Sequence, residues 1–227
     1  MNLRLSSPLA LTAAVLLAAT PAAVGGGPDM KTSSSRQISL PKPFRHGTMS
    51  LEEALATRRS AREFQATSLT PSQLSQLLWA AQGITDRKGL RTAPSAGALY
   101  PLEIYVALPS GLHHYDPARH RLELRVDGDA RPALHRAALR QPAVLKAPGV
   151  FVVTAVPART RVKYGQRVER YVSLEAGHAA QNLLLEATAL GLAGVPVGAF
   201  EDARVREALA LGRGEEPLYL IPIGEPR

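Results

Sequence analysis

The chain has no cysteine. Disulfides, thiolate nucleophiles and cysteine-held metals are excluded, and the redox compartment stays open. Aromatic residues reach only 5%, too few to interleave with bases, so no nucleic-acid partner is expected. Acidic residues are in the minority, 19 against 27 lysines and arginines, leaving a net charge of +8 that is carried mostly by arginine. Such a balance favours phosphates and anionic surfaces. Three motifs are missing: G-x-x-x-x-G-K-S/T, H-E-x-x-H, and G-x-G-x-x-G after a strand. That argues against P-loop, zincin and Rossmann chemistry. His113 and His114 are adjacent, so a strand would point them to opposite faces, and no metal site is expected. No region repeats, and the apolar run Leu9–Ala19 is short for a bilayer span.

What remains is a chain of 227 residues, 45% hydrophobic, enough for one globular domain with a substantial core. Met1–Gly27 reads as a secretory signal, with Arg4 ahead of the apolar run and small residues after it. An uncleaved N-terminal anchor is the competing reading. Export to the periplasm or medium is expected, with no stable membrane association once the leader is removed. The stretch 28–48 is rich in Gly, Ser, Pro and Lys and reads as a linker or extended arm, whose Ile38, Leu40 and Phe44 can lie along the body. The folded domain is placed at 49–227.

Ser50 caps a helix from Leu51 to about Thr57, with Glu53 to complete a capping box. Arg58-Arg59-Ser60-Ala61-Arg62 follows before Phe64. Arginine forks match phosphate oxygens and a serine hydroxyl adds a bond, although a solvated basic turn fits the same residues. Thr70-Pro71 starts a second helix that ends at Gly83, with Trp79 read as core. Arg91–Pro101 is a loop of small residues with room for one helical turn. Ser95 lies outside any G-x-S-x-G pattern and is not read as a nucleophile. A strand Leu102–Leu108, a hairpin around Asp116-Pro117, a short helix Asp129–Leu139 and a buried strand Gly149–Val156 come next.

Arg159–Arg170 is strongly basic and contains Lys163 beside Tyr164. A pocket can make such a pair acid–base groups, but a solvated face is the commoner outcome. Ser173–Phe200 is the organising stretch. Leu174, Ala176, Ala180, Leu183, Leu184, Ala187 and Leu190 recur at helical spacing, while Glu175, His178, Asn182 and Glu186 form one polar stripe. Gly191 is read as its cap. Val195-Pro196-Val197-Gly198 then offers much backbone and little side chain, a wall for a flat ligand or simply a core strand. A helix Glu201–Leu211 and a strand Pro217–Ile223 close the chain.

The segments 58–64, 92–106, 163–171, 175–200 and 218–226, in this order and spacing, resemble the nitroreductase superfamily, and more narrowly its SagB/ThcOx-type dehydrogenases. The resemblance covers about Met49–Arg227. It implies an α+β fold, a mostly antiparallel sheet flanked by helices, in an intertwined homodimer with FMN at the subunit interface. It places the FMN phosphate on Arg58 and sets Ser60 against the phosphate or the ribityl chain, with Arg59 in the same motif and Arg62 near the N1–C2 edge of the ring. Pro94, Ser95, Ala96 and Gly97 would come from the second subunit. Val195, Pro196, Val197 and Gly198 would line the ring, and Arg227 would add a phosphate ligand. Lys163 and Tyr164 become catalytic candidates. Ala98 and Tyr100-Pro101 stand where many nitroreductases have Asn and Gln-Pro. The expected activity is FMN-dependent hydride transfer through flavin N5 on a small-molecule or peptide substrate. The alternatives are a generic NAD(P)H-dependent nitro- or quinone-reductase and, in another class, an exported basic binding module on a degenerate flavin fold.

Overall fold

The computed structural model describes residues 37–227. At its centre is a seven-stranded sheet in the order β1-β4-β3-β2-β5-β7-β6, and every neighbouring pair is antiparallel. The strands are β1 (Gln37–Ser39), β2 (Leu102–Leu108), β3 (Gly111–Asp116), β4 (Arg121–Asp127), β5 (Gly149–Ala155), β6 (Ala193–Gly194) and β7 (Glu216–Gly224). The helices are α1 (Leu51–Thr57), α2 (Pro71–Gln82), α3 (Arg131–Ala137), α4 (Pro142–Lys146), α5 (Ala158–Tyr164), α6 (Val168–Ala189) and α7 (Asp202–Ala208). The expected fold class is met.

Both faces of the sheet are covered. On one side Leu77 and Leu78 of α2 and Ala179 and Leu183 of α6 pack onto Leu102, Ile104 and Val106. On the other, Leu134 of α3, Val144 of α4 and Val205 of α7 pack onto Tyr105, Ala107 and Leu220. Alternate residues of β2 therefore serve opposite cores. β5 is buried throughout, and apolar except for Thr154, because it lies between β2 and β7 with helices on both faces.

Caps fix the helices that frame the site. Thr70 Oγ1 accepts the Gln73 N–H and Gln73 Oε1 accepts the Thr70 N–H, a complete capping box with Pro71 in the first turn. At α1 only half of the expected box forms: Ser50 Oγ accepts the Glu53 N–H.

Several expectations are corrected. The long helix starts at Val168, five residues before Ser173, and the basic run, for which no helix was read, lies largely in α5 and the first turn of α6. It ends at Ala189, and Gly191 follows in the left-handed region at φ 73°. Trp79 is half-buried and lies beside the arm, not in the core. Val195–Val197 is no regular strand. β6 is two residues long, and Val197 is tied to Leu220 by an isolated bridge. The arm reaches the body through β1 and then crosses α2, where Phe44 exchanges two hydrogen bonds with the Gln76 side chain. The residues assigned to the leader lie outside the described region. No described helix is long and apolar enough to cross a membrane.

Candidate active site

One group of site residues is assembled by backbone pairing. As the chain leaves α1, Ser60 bridges Gly194 in parallel, and the Ala61 N–H donates to Gly194 O at 3.2 Å. Phe64 bridges Pro226, the Gln65 N–H donates to Glu225 O, and the Arg227 N–H donates to Glu63 O. Arg58–Arg62, the Val195–Gly198 strip and Arg227 are thereby brought to one edge of the sheet. The strip alternates: Val195 and Val197 are buried, while Pro196 and Gly198 are exposed.

The cations in this group differ. Arg59 turns back on its own helix, where Nη1 donates to Ala56 O and Arg58 O, so it also serves as a C-terminal cap for α1. Among the described residues, the guanidiniums of Arg58 and Arg62 and the hydroxyl of Ser60 have no hydrogen-bond or ion-pair partner. Two free arginine forks and a hydroxyl beside exposed backbone have the donor set that a phosphate ester needs. Gly198 leaves room as well. A Cβ there would meet nothing closer than Tyr219 Cε1 at 3.9 Å. The residues fit a flavin mononucleotide.

A second group is built by side chains around Pro94–Tyr100. Ala96–Ala98 makes one 3-10 turn, with Gly97 at φ 64°, Ala98 at 55° and Tyr100 at 45°. Two of those three residues carry a Cβ and pay for the left-handed conformation, so neighbours must hold them there. Ser95 Oγ accepts the Tyr100 N–H, which leaves the serine's own O–H free to donate. Buried Glu175 on α6 accepts the Ala96 N–H at 2.9 Å, and Asn182 donates to Thr92 O. The polar stripe of α6 is thus the bracket of this loop.

Lys163 and Tyr164 belong to the second group. A Cβ on Gly97 would sit 3.0 Å from Lys163 Nζ and 3.2 Å from the Tyr164 hydroxyl. A side chain there would push both groups back by a few tenths of an ångström and would be strained at this positive φ. Tyr164 also stacks on Tyr171 at 4.6 Å between centroids. No hydrogen bond among the described residues joins this group to the Arg58 group.

Two residues were missed in the sequence. Arg91 lies over the Tyr100 ring at 4.6 Å, and Arg159 Nη1 donates to Tyr100 O at 3.1 Å. The nearest signal was the basic character of 159–170, which gave no partner.

The profile of the Nitroreductase family matches residues 55–225. A Methanocaldococcus jannaschii protein assigned as a nitroreductase is 46% identical over 180 residues, which is 77% of this chain and 90% of that protein. A crystal structure of a protein of the same assignment from Ralstonia eutropha has a TM-score of 0.79 at 36% identity, covering 86% of this chain and 91% of the other. The NADPH:FMN oxidoreductase of Vibrio harveyi has a TM-score of 0.60 at 23% identity, over 78% of this chain and 68% of its own, a likeness of fold. The chain belongs to the nitroreductase family and is an oxidoreductase.

Proposed function

We propose that the protein is an FMN-dependent oxidoreductase of the SagB-like dehydrogenase branch, active as a homodimer and exported by its N-terminal leader. The observation that carries this reading is the pairing of Ser60 and Ala61 with Gly194, which sets free arginines beside an accessible backbone strip. The Vibrio harveyi protein of the same fold is an NADPH:FMN oxidoreductase, which supports the same cofactor here.

When bound, the flavin supplies a two-electron centre that accepts and returns hydride at N5. Arg58 and Ser60 hold the phosphate, with Arg227 beside them, and Arg62 stabilises negative charge at the N1–C2 edge. Val195–Gly198 lies along the ring. The Pro94–Gly97 loop, which among the described residues shares no hydrogen bond with the arginine group, closes the site from a second copy. Exposed Leu51 and Leu55 on α1 and Leu174 on α6 provide apolar surface for that copy. Lys163 and Tyr164 ride with the loop and hold or pass a proton at the substrate.

The test is the visible spectrum of the purified protein, with the released chromophore identified. About one FMN per subunit is expected, and Arg58→Ala should weaken its retention by at least tenfold. A colourless protein that takes up no added FMN overturns the assignment. Anaerobic mixing with NADH and NADPH separates the branches. Rapid bleaching by a nicotinamide marks a generic reductase, whereas a dehydrogenase is reduced by its own substrate.

A further inference from the structure

Beside Tyr100 the surface opens into a trough of about 550 Å3, lined by Arg91, Tyr100, Glu103, His114, Arg125 and Arg159 among others. Its carboxylates are already engaged. Glu103 is bound by Arg159 at 2.5 Å and by His114 Nε2 at 2.7 Å. Asp116 takes Arg119 and Arg121, and Glu123 takes Arg121 at 2.5 Å. Among the described residues neither Arg91 nor Arg125 forms an ion pair with a carboxylate, although Glu103 is near enough to act on the Arg91 charge. Arg125 Nη2 reaches only His114 Nδ1, at the 3.5 Å limit of a hydrogen bond. Arg91 donates Nη1 to the neutral Gln82, and its buried Nε–H has no partner. Burial, the largest influence on Arg91, works against its charge, and the nearby Glu103 carboxylate and Tyr100 offset only part of this, so a bound anion would favour the guanidinium.

The trough is attached to the reaction site. Arg159 and Lys163 are four residues apart on α5 and so share one face, about 6 Å apart along the axis. Arg159 holds Tyr100 O, and Lys163 meets the same loop at Gly97. A single aromatic ring spans such a distance.

We infer that the trough binds an oxyanion group, carboxylate or phosphate, at the far end of the substrate whose reactive end lies at Gly97, Lys163 and Tyr164. The site therefore selects anionic substrates. This rests on the proposed function for the location of the reactive end, while the anion site itself is independent of the flavin.

The test is calorimetric titration of the FMN-loaded dimer with three probes: nitrobenzene, 4-nitrobenzoate and 4-nitrophenyl phosphate. At least one anionic probe should bind ten or more times tighter than nitrobenzene, and the tighter of the two identifies the oxyanion. Arg125→Glu should abolish that preference, whereas Arg213→Glu, the same charge change on an exposed site elsewhere, should keep it. Equal affinity for neutral and anionic probes in the wild type overturns the inference, as does a preference that survives Arg125→Glu. Failure of the enzymatic reading looks different: none of the probes is reduced in a turnover assay, while the affinity ratio is still measured.

Discussion

Arg58–Arg62 and Pro94–Tyr100 are both short irregular segments at the candidate site, yet they are held in opposite ways. The first is zipped by backbone to Gly194 and to the C-terminus, which leaves the Arg58 and Arg62 side chains free. The second has little backbone pairing. It is gripped by side chains of Ser95, Glu175, Arg159 and Arg91, and what it offers is exposed backbone at Gly97. A segment held by its backbone can spend its side chains on a ligand. A segment held by other residues' side chains can present its backbone.

Breaking the backbone-held half should cost most. A Cβ on Gly194 would come within 2.8 Å of Ile223 Cγ1 and 2.9 Å of Pro222 O, with Leu184 at 3.2 Å. Gly194→Ala should therefore destabilise the fold by about 1–3 kcal/mol, the usual range for overpacking. A urea midpoint that does not move would mean the strip is loose, and the contrast between the halves would fail.

On the other half, Glu175→Ala removes the bracket of Ala96. A lost hydrogen bond to a charged group, partly offset by removing a buried carboxylate, should cost about 1–2 kcal/mol. Amide hydrogen exchange should quicken at 96–98 and not at 60–64. Equal acceleration at both would show one coupled unit.

The smallest effect has the opposite sign. Ala98 is exposed at φ 55°, so Ala98→Gly relieves the left-handed strain at the cost of backbone entropy. A net gain of about 0.5–1 kcal/mol is expected in chemical denaturation. A loss would show that the loop conformation costs nothing at that position.

Much of the scaffold was legible because its signals are local. Ser50 and Thr70 announce their helices by side-chain caps, and β2 was delimited at Leu102 and Leu108 by flanking prolines and an apolar run. The misses have physical causes too. The first turn of α6 buries Val168 and Val172 beneath exposed Glu169 and Arg170, so a charged surface hid the helix start. β1 exposes all three residues and carries no alternation, since it is an edge strand recognised only through β4. Trp79 looked like core because size and apolarity do not reveal that an arm, rather than the sheet, lies beside it.

The site divides along the same line. Residue chemistry made Arg58, Ser60 and Arg62 a candidate anion clamp and the Val195–Gly198 strip a candidate flat wall, each beside a plainer reading as a basic turn or a core strand. Nothing local placed the clamp against the wall, or Lys163 and Tyr164 against Gly97, or Arg159 against Tyr100. By itself the sequence marked the capped starts of α1 and α2, the apolar face of α6, the central strands and the supply of arginines, because each can be read from near neighbours in the chain, whereas α4 and α5 went unread. Only the tertiary structure decided which segments meet at the site. Those meetings are strand pairings and side-chain bonds between distant residues, and they form only once burial of both faces of the sheet has fixed where every element lies.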